Sequence, residues 1–282
     1  MTIRTVIRLP RCASEVPDTS FRSVTPSTPP PSFQDPDRDL SAYAEQYARL
    51  PFEATQVEYR RRVVLELLAR TAATRVLEVG CGLEPLHPFV DSFEAWTIVE
   101  PAPAFARIAT ESALADDRIT VVVQTIEEAA SDGTLQRGAF DVVLLSSLLH
   151  EVPSPISVLQ GVHALCGPET LMHVNVPNAH SLHRELAVAM GIIADVHEQS
   201  AQQRMLDQTR IFDSVQLSAL IQSTGFTIVD QGGYLVKPFT HAQMQTLVTS
   251  GTIDRSLLDG LFVLGKKFPF LASEIFVNAR RS

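Results

Sequence analysis

The chain holds 282 residues, 45% of them hydrophobic and 20% charged, enough for one large α/β domain with additions or two ordinary ones. Its 23 basic and 32 acidic residues leave a net charge of −9 with no dense Lys/Arg block. Such a surface repels a phosphate backbone, so duplex nucleic acid is demoted and no nucleic-acid partner is expected. No apolar run approaches the roughly 18 residues that a membrane span needs, so no membrane association is expected. Cys12, Cys81 and Cys166 make neither a CxxC pair nor an even framework, which points to a reducing, cytoplasmic setting and away from structural zinc.

Residues 1–38 place Pro10, Pro17, Pro26, Pro29, Pro30, Pro31 and Pro36 among many Ser and Thr. Such a stretch buries too little to offset its ordering entropy, so it reads as a disordered arm. Arg4, Arg8 and Arg11 resemble the start of a transit peptide, but Glu15, Asp18 and the lack of an apolar segment argue against a targeting signal. From Asp39 the pattern turns helical through Tyr43, Tyr47, Leu50, Val57, Val63, Val64, Leu67 and Leu68, broken at Pro51. Tyr43, Tyr47 and Phe52 read as cover for the sheet. Five apolar runs follow, at Arg75–Cys81, Ala95–Glu100, Ile119–Thr125, Phe140–Leu145 and Leu171–Val176, with helices expected near 84–92, 103–115, 127–137 and 155–166. Strands apolar on both faces and alternating with helices predict a parallel sheet covered on both sides.

Residues 179–212 lack a strand signal and read as a helical cap inserted after the fifth strand. A helix at 213–224 stops at Gly225, a sixth strand begins at Phe226, and 241–265 is helical again. The last strand, Glu274–Ala279, is placed to enter antiparallel beside the sixth. The expected fold is thus α/β: a doubly wound, seven-stranded, mostly parallel sheet of Rossmann-like type over residues 39–282.

The segment Val76-Leu77-Glu78-Val79-Gly80-Cys81-Gly82 runs an apolar strand into two glycines. Glycines there let the backbone approach a ligand and present its amides. About twenty residues on, Glu100 ends the next strand, where a carboxylate can accept both hydroxyls of a ribose. A dinucleotide fingerprint would require glycine at position 85, which is Pro85, and there is no Gly-Lys-Ser/Thr P-loop. Glu78 is awkward beside a pyrophosphate but suits a cation. A ribose, an ammonium and a positive sulfur answer to both acids, and S-adenosylmethionine carries all three.

These residues resemble class I S-adenosylmethionine-dependent methyltransferases over roughly residues 40–282. Val76–Gly82 is similar to the first motif of that family, and Glu100 followed by Pro101 to its ribose-binding acid. Thr125 and Ile126 stand where adenine-flanking residues lie. The segment Phe140–Val152 resembles the fourth motif, which brings Ser146 and Ser147 beside the cofactor. Two departures are Glu84 in the place of a third glycine and Thr125 in place of an Asp often found at the adenine. The resemblance implies a seven-stranded fold, S-adenosylmethionine as cofactor and S-adenosylhomocysteine as product, and, as the alternative role for Tyr43, Tyr47 and Phe52, a leading helical lid over the cofactor. Cys81 reads as a buried filler rather than a nucleophile, since nothing basic adjoins it.

Ligands of doubly wound sheets sit beyond the C-terminal strand ends, so the ends of strands 4 and 5 should wall the acceptor site. His150 is a candidate general base or a cap of the strand–helix turn. Asn178, His180, His183 and Arg184 are candidate acceptor-binding residues, the alternative for the histidines being a solvated first helical turn with Ser181 as a partial cap. His173, between apolar neighbours, reads as structural. The histidines and acids make no HExxH or close triad, so no metal site is assigned. In-line methyl transfer to a small-molecule hydroxyl or amine is the expected activity. A protein or RNA methyltransferase and a non-catalytic S-adenosylmethionine-binding protein stay open as alternatives, although no nucleic-acid-binding module is visible.

Overall fold

The computed structural model describes residues 50–199 and 210–282. The expected arm at 1–38, the residues Tyr43 and Tyr47, and part of the cap at 179–212 lie outside the described residues.

The elements, in chain order, are helix α1 (Glu53–Thr71), strand β1 (Arg75–Val79), β2 (Ala95–Val99), α2 (Pro103–Ala113), β3 (Ile119–Val122), α3 (Ile126–Ser131), β4 (Val142–Ser146), α4 (Pro155–Leu165) and β5 (Leu171–Pro177). There follow α5 (Leu182–Ala189), α6 (Ser214–Ser223), β6 (Phe226–Tyr234), α7 (His241–Thr249), α8 (Arg255–Lys267) and β7 (Glu274–Arg281). The seven strands form one sheet in the order β3-β2-β1-β4-β5-β7-β6. The first five pair in parallel, and β7 enters antiparallel between β5 and β6. The strand order reverses between β1 and β4, which opens a crevice beyond their C-terminal ends.

Apolar side chains above and below β1 and β4 explain why these strands lie at the centre. Leu77, Val143 and Leu145 pack with α4 and α6 residues on one face, and Val76, Ile98, Val142 and Leu144 with α1 and α2 residues on the other. A third cluster joins Phe52, Tyr59 and Val63 to Tyr234, Leu235, Met244 and Phe262. Phe52 therefore belongs to a core, at 2% exposure.

The helix expected near 84–92 does not form. That stretch holds only a short 3-10 turn at His87–Phe89. Pro85 and Pro88 cannot donate to a helical ladder, and the Leu86 amide is instead taken by the Glu78 carboxylate. The helix expected at 127–137 is shorter than its pattern. It begins in a capping box between Thr125 and Glu128 and ends at Ser131, before Gly133 with φ +82°. The helical stretch at 241–265 is two helices, parted by Gly251 (φ +74°) and restarted by Asp254, whose side chain caps the Leu257 amide.

Candidate active site

At the cofactor end, the loop after β1 is built from backbone. Gly80 has φ +74° and Gly82 φ +56°, a region where side chains other than glycine are strained. A Cβ on Gly82 would meet nothing within 4 Å, whereas one on Gly80 would touch Leu148 at 3.0 Å. The loop thus has an open backbone face at Gly82, the kind of cradle a ligand fills.

Glu100 stands beside it. Its Oε2 accepts the Cys81 amide at 3.1 Å and its Oε1 the Ala102 amide at 2.9 Å, which fixes the carboxylate at the strand end with Pro101 between. Burial raises its pKa while these amides draw it down, and the net direction is upward. Oε2 also lies 3.8 Å from the Cys81 thiol, whereas Oε1, with the Ala102 amide as its partner, keeps capacity to accept a ribose hydroxyl. Glu78 is spent inside the protein. Its carboxylate accepts Trp96 Nε1 at 2.9 Å and the Leu86 amide at 3.2 Å, and burial pushes its pKa up to about 7. Trp96, fully buried on β2, is the partner that the spacing of the loop did not announce.

Thr125 caps α3, with its hydroxyl accepting from the Glu128 amide at 3.2 Å, and Ile126 is buried behind it. Cys81 is buried, and its thiol pKa is driven far up by burial and the nearby acids. Glu84 points outward in an ion pair with Arg61.

Beyond β4 the construction changes from backbone to side chains. Ser147 sits at φ +58°, and its amide donates to Asn175 Oδ1 at 3.0 Å. Asn175 Nδ2 in turn donates to Ser146 Oγ at 3.1 Å and contacts His173 Nε2 at 3.1 Å. His173 Nδ1 lies 2.7 Å from Asn278 Oδ1 on β7. Burial lowers the pKa of His173 to about 4, so the ring is neutral, with Nδ1 as donor and Nε2 as acceptor. This chain of amides and imidazole anchors the end of β4 across the sheet.

Ser147 opens onto a cavity of about 250 Å³ that also takes in His150, Asn178, His183, Arg184, Lys237 and Ser273. His150 is 3% exposed. Its Nε2 lies 3.4 Å from Glu151 Oε1, while Nδ1 has no hydrogen-bond partner among the described residues. Asn178 faces the cavity but holds the chain, donating to the Phe270 and Ala272 carbonyls at 3.1 and 2.9 Å. Arg184 Nε donates to the Val196 carbonyl at 2.8 Å, which ties α5 to the segment after it. His183 has its Nδ1 without a partner among the described residues, and burial followed by Lys237 holds its pKa well below the ordinary imidazole value. His180 is not among the residues that line the cavity; it pairs on the surface with Glu185 at 2.6 Å. Ser181 precedes α5 without making a side-chain cap, so its buried hydroxyl is unspent among the described residues.

The opposite wall was not legible from motifs. Arg60 on α1 grips Glu274 at the start of β7 with contacts of 2.6–3.2 Å, and Glu274 also accepts from Gln56 at 2.8 Å and from the Tyr234 hydroxyl at 2.5 Å. Burial alone would raise the Glu274 pKa, but the Arg60 guanidinium holds it below the ordinary value. Lys237 and His241 stand next to this cluster. A charge in an apolar stretch, as in Tyr234-Leu235-Val236-Lys237, was the available signal.

Strain concentrates at the same place. Of the four non-glycine residues with positive φ among the described residues, Ser147 leaves β4, Leu235 leaves β6 and Phe52 leads into α1 beside Glu53. Each such residue costs of order 1 kcal/mol or more and persists where its surroundings impose it. Around Leu235 the packing is tight: Gly265 on α8 lies so close that a Cβ there would come within 2.3 Å of the Leu235 amide.

Comparison with known proteins agrees with this geometry. The chain is 23% identical over 180 residues to the polyketide synthase component of lovastatin nonaketide synthase from Aspergillus terreus, a match covering 62% of this chain and 6% of that protein. The chain therefore spans only a small fraction of that relative. Among solved structures, the plantazolicin methyltransferase BamL superposes with a TM-score of 0.54 at 13% identity, covering 85% of this chain and 89% of BamL. The cyclase SpnF gives 0.52 at 18% identity, covering 78% and 80%. N-methyltransferase NodS from Bradyrhizobium japonicum WM9 gives 0.51 at 9% identity, covering 86% and 97%. These likenesses share the fold. Residues 52–231, more than half the chain, match the family described as methyltransferase domain. The chain belongs to that family of methyltransferase domains.

Proposed function

We propose that the protein methylates a hydroxyl or amine of a small molecule held in the cavity between Ser147 and Lys237, with His150 as general base. The reading rests on one observation: His150, the first imidazole beyond β4, is buried in the wall that Ser147 shares, with Nδ1 unspent among the described residues. Glu100 would hold the ribose, the Gly80–Gly82 backbone would face the amino-acid portion, and Ile126 would lie against the adenine. Glu78 would contribute by shaping the loop, and Ser146 and Ser147 would border the sulfonium. When bound, S-adenosylmethionine supplies an electrophilic methyl group with a good leaving group.

The chain's own share of catalysis is then orientation, exclusion of water and proton removal. Glu151 Oε1, 3.4 Å from His150 Nε2, would favour a proton on Nε2 and so leave Nδ1 as the base. The proton of an acceptor hydroxyl would pass to Nδ1 as the C–O bond forms and the S–C bond breaks, whereas an ammonium acceptor would give its proton to Nδ1 first, which frees the lone pair that attacks. Asn178 and Arg184 would keep the cavity walls in place, and His183 would touch the acceptor. His180, on the surface, would stay outside this task.

The domain runs from about residue 39 to 282 on this reading, with 1–38 a separate arm and 179–212 a cap over the acceptor. A cavity of about 250 Å³ is of a size for a small metabolite, and we take the role to be biosynthetic, in the cytoplasm and without nucleic acid. The unpaired thiols Cys81 and Cys166 are compatible with that compartment. Among the described residues no helix is long and apolar enough to cross a membrane. The test is transfer of labelled methyl from S-adenosylmethionine into a lysate treated with protease and nuclease. Label in the small-molecule fraction supports the reading, and label confined to protein or RNA before digestion overturns it.

A further inference from the structure

Resting on that reading of the cavity, a second feature narrows the acceptor class. The chain has three lysines against twenty arginines, and one of the three, Lys237, is 1% exposed. Its ammonium lies 3.0 Å from His241 Nε2 and 3.4 Å from Gln56 Oε1, both of them neutral groups. Burial, with Lys237 next in order, lowers the pKa of His241 to about 3, so its ring carries no charge and can accept from the ammonium. No carboxylate among the described residues pairs with Lys237. The nearby acids face other partners: Glu274 is gripped by Arg60, and Glu53 reaches Arg60 at 3.4 Å and His241 at 3.8 Å.

A buried ammonium without a contacting counter-charge is costly to keep. Even so, burial lowers the Lys237 pKa only to about 8, because Glu53 and Glu274 act on it from a distance, and the group is charged near neutral pH. The cavity adds further unspent groups beside it. Ser273, whose amide bonds to the Leu235 carbonyl at 2.7 Å just before Lys237, has its hydroxyl without a partner among the described residues, and His183 has the same at Nδ1. A cation, a hydroxyl and an imidazole lining one cavity are groups of the kind that can donate to an oxyanion.

We infer that the methyl acceptor is acidic: it carries a carboxylate or phosphoryl oxyanion that docks on Lys237, with Ser273 and His183 as additional donors. The anion anchors one end of the acceptor, and the group to be methylated lies toward His150.

With three lysines, the side-chain Cε resonances of carbon-labelled protein are few enough to follow singly. The Lys237 signal is assigned by its loss in Lys237→Met or, if that variant does not fold, by elimination with Lys266→Arg and Lys267→Arg. The full chain, saturated with S-adenosylhomocysteine, is titrated with inorganic phosphate and separately with acetate at constant ionic strength. A saturable shift of the Lys237 signal, with Lys266 and Lys267 still, is expected with at least one of the two anions. Phosphate alone points to a phosphoryl acceptor and acetate alone to a carboxylate. Ser273→Ala should weaken that binding by about ten- to a hundredfold, the loss of one hydrogen bond to an anion. Equal small shifts at all three lysines, or unchanged affinity in Ser273→Ala, overturn the inference. Calorimetric binding of S-adenosylhomocysteine separates the two levels: if it binds and neither anion does, the acidic acceptor is wrong, and if it does not bind, the methyltransferase reading of the site fails first.

Discussion

The two ends of the crevice are built from different materials. Around β1 and β2 the polar groups are backbone amides and two carboxylates, and each carboxylate is satisfied by amides or by the Trp96 indole. Around β5, β6 and β7 the polar groups are side chains, several of which have no partner among the described residues. A backbone site survives most substitutions, because amides are present whatever the sequence, and it suits a ligand that never changes. A side-chain site is changed by single substitutions and suits a ligand that differs from one enzyme to the next. Breaking each end in turn should therefore give different kinds of damage.

The largest effect is expected at the side-chain end. His150→Ala should lower turnover by about 10²–10⁴-fold if Nδ1 takes the proton, with S-adenosylhomocysteine affinity unchanged by calorimetry. Turnover that falls only with the folded fraction would leave His150 as a turn cap. Next comes Glu274→Ala, which leaves the Arg60 guanidinium buried with its main partner removed. A loss of about 3–5 kcal/mol in urea unfolding is expected. A loss under about 1 kcal/mol would mean that Glu53 and water compensate, and the contrast between the two ends would weaken. At the backbone end, Glu100→Ala should leave folding nearly intact and weaken S-adenosylmethionine by about 30- to 150-fold, the worth of a charged hydrogen-bond pair at about 2–3 kcal/mol. Unchanged affinity in the folded variant would remove Glu100 from the cofactor site.

The same contrast explains what could be read in advance. The strand runs, the glycine pair and Glu100 are local in sequence, because a backbone site needs only a strand, a turn and a helix or carboxylate in fixed succession. The parallel, doubly wound sheet followed from alternation, whereas its strand order became visible only in the structure. By contrast, the wall made by Arg60, Lys237, His241 and Glu274 gathers residues from α1, the loop after β6, α7 and β7, separated by up to 214 positions. No motif spans such distances, and only the fold brings them together. Local chemistry also misled in places: Pro85, Pro88 and the Glu78 carboxylate broke a helix that apolar spacing had suggested, and His180 turned outward to Glu185 while His183, one helical turn on, faced the cavity.

The smallest effect sharpens the backbone end itself and concerns Glu78. Burial raises its pKa to about 7 from the ordinary 4.5, against the pull of Trp96 and Leu86. Between these two values the unfolded chain has lost the proton while the folded chain keeps it. Stability from this group is therefore complete below about pH 4.5, falls as pH rises toward 7, and stays low above it. Glu78→Gln mimics the protonated acid, with its carbonyl free to accept from Trp96 and Leu86 and its amide short of an acceptor. After that deduction the variant should be about 1–2 kcal/mol more stable than the parent at pH 8 and equal to it or weaker at pH 4.5. The readout is the difference between the two urea-unfolding profiles from pH 4.5 to 8, which cancels the titrations they share. A constant difference across that range would show that Glu78 is ionised in the folded protein throughout. The loop would then hold a full negative charge beside Gly80 and Gly82, and Glu78 would return to being a direct partner for a cationic ligand rather than the buried acceptor that fixes the turn.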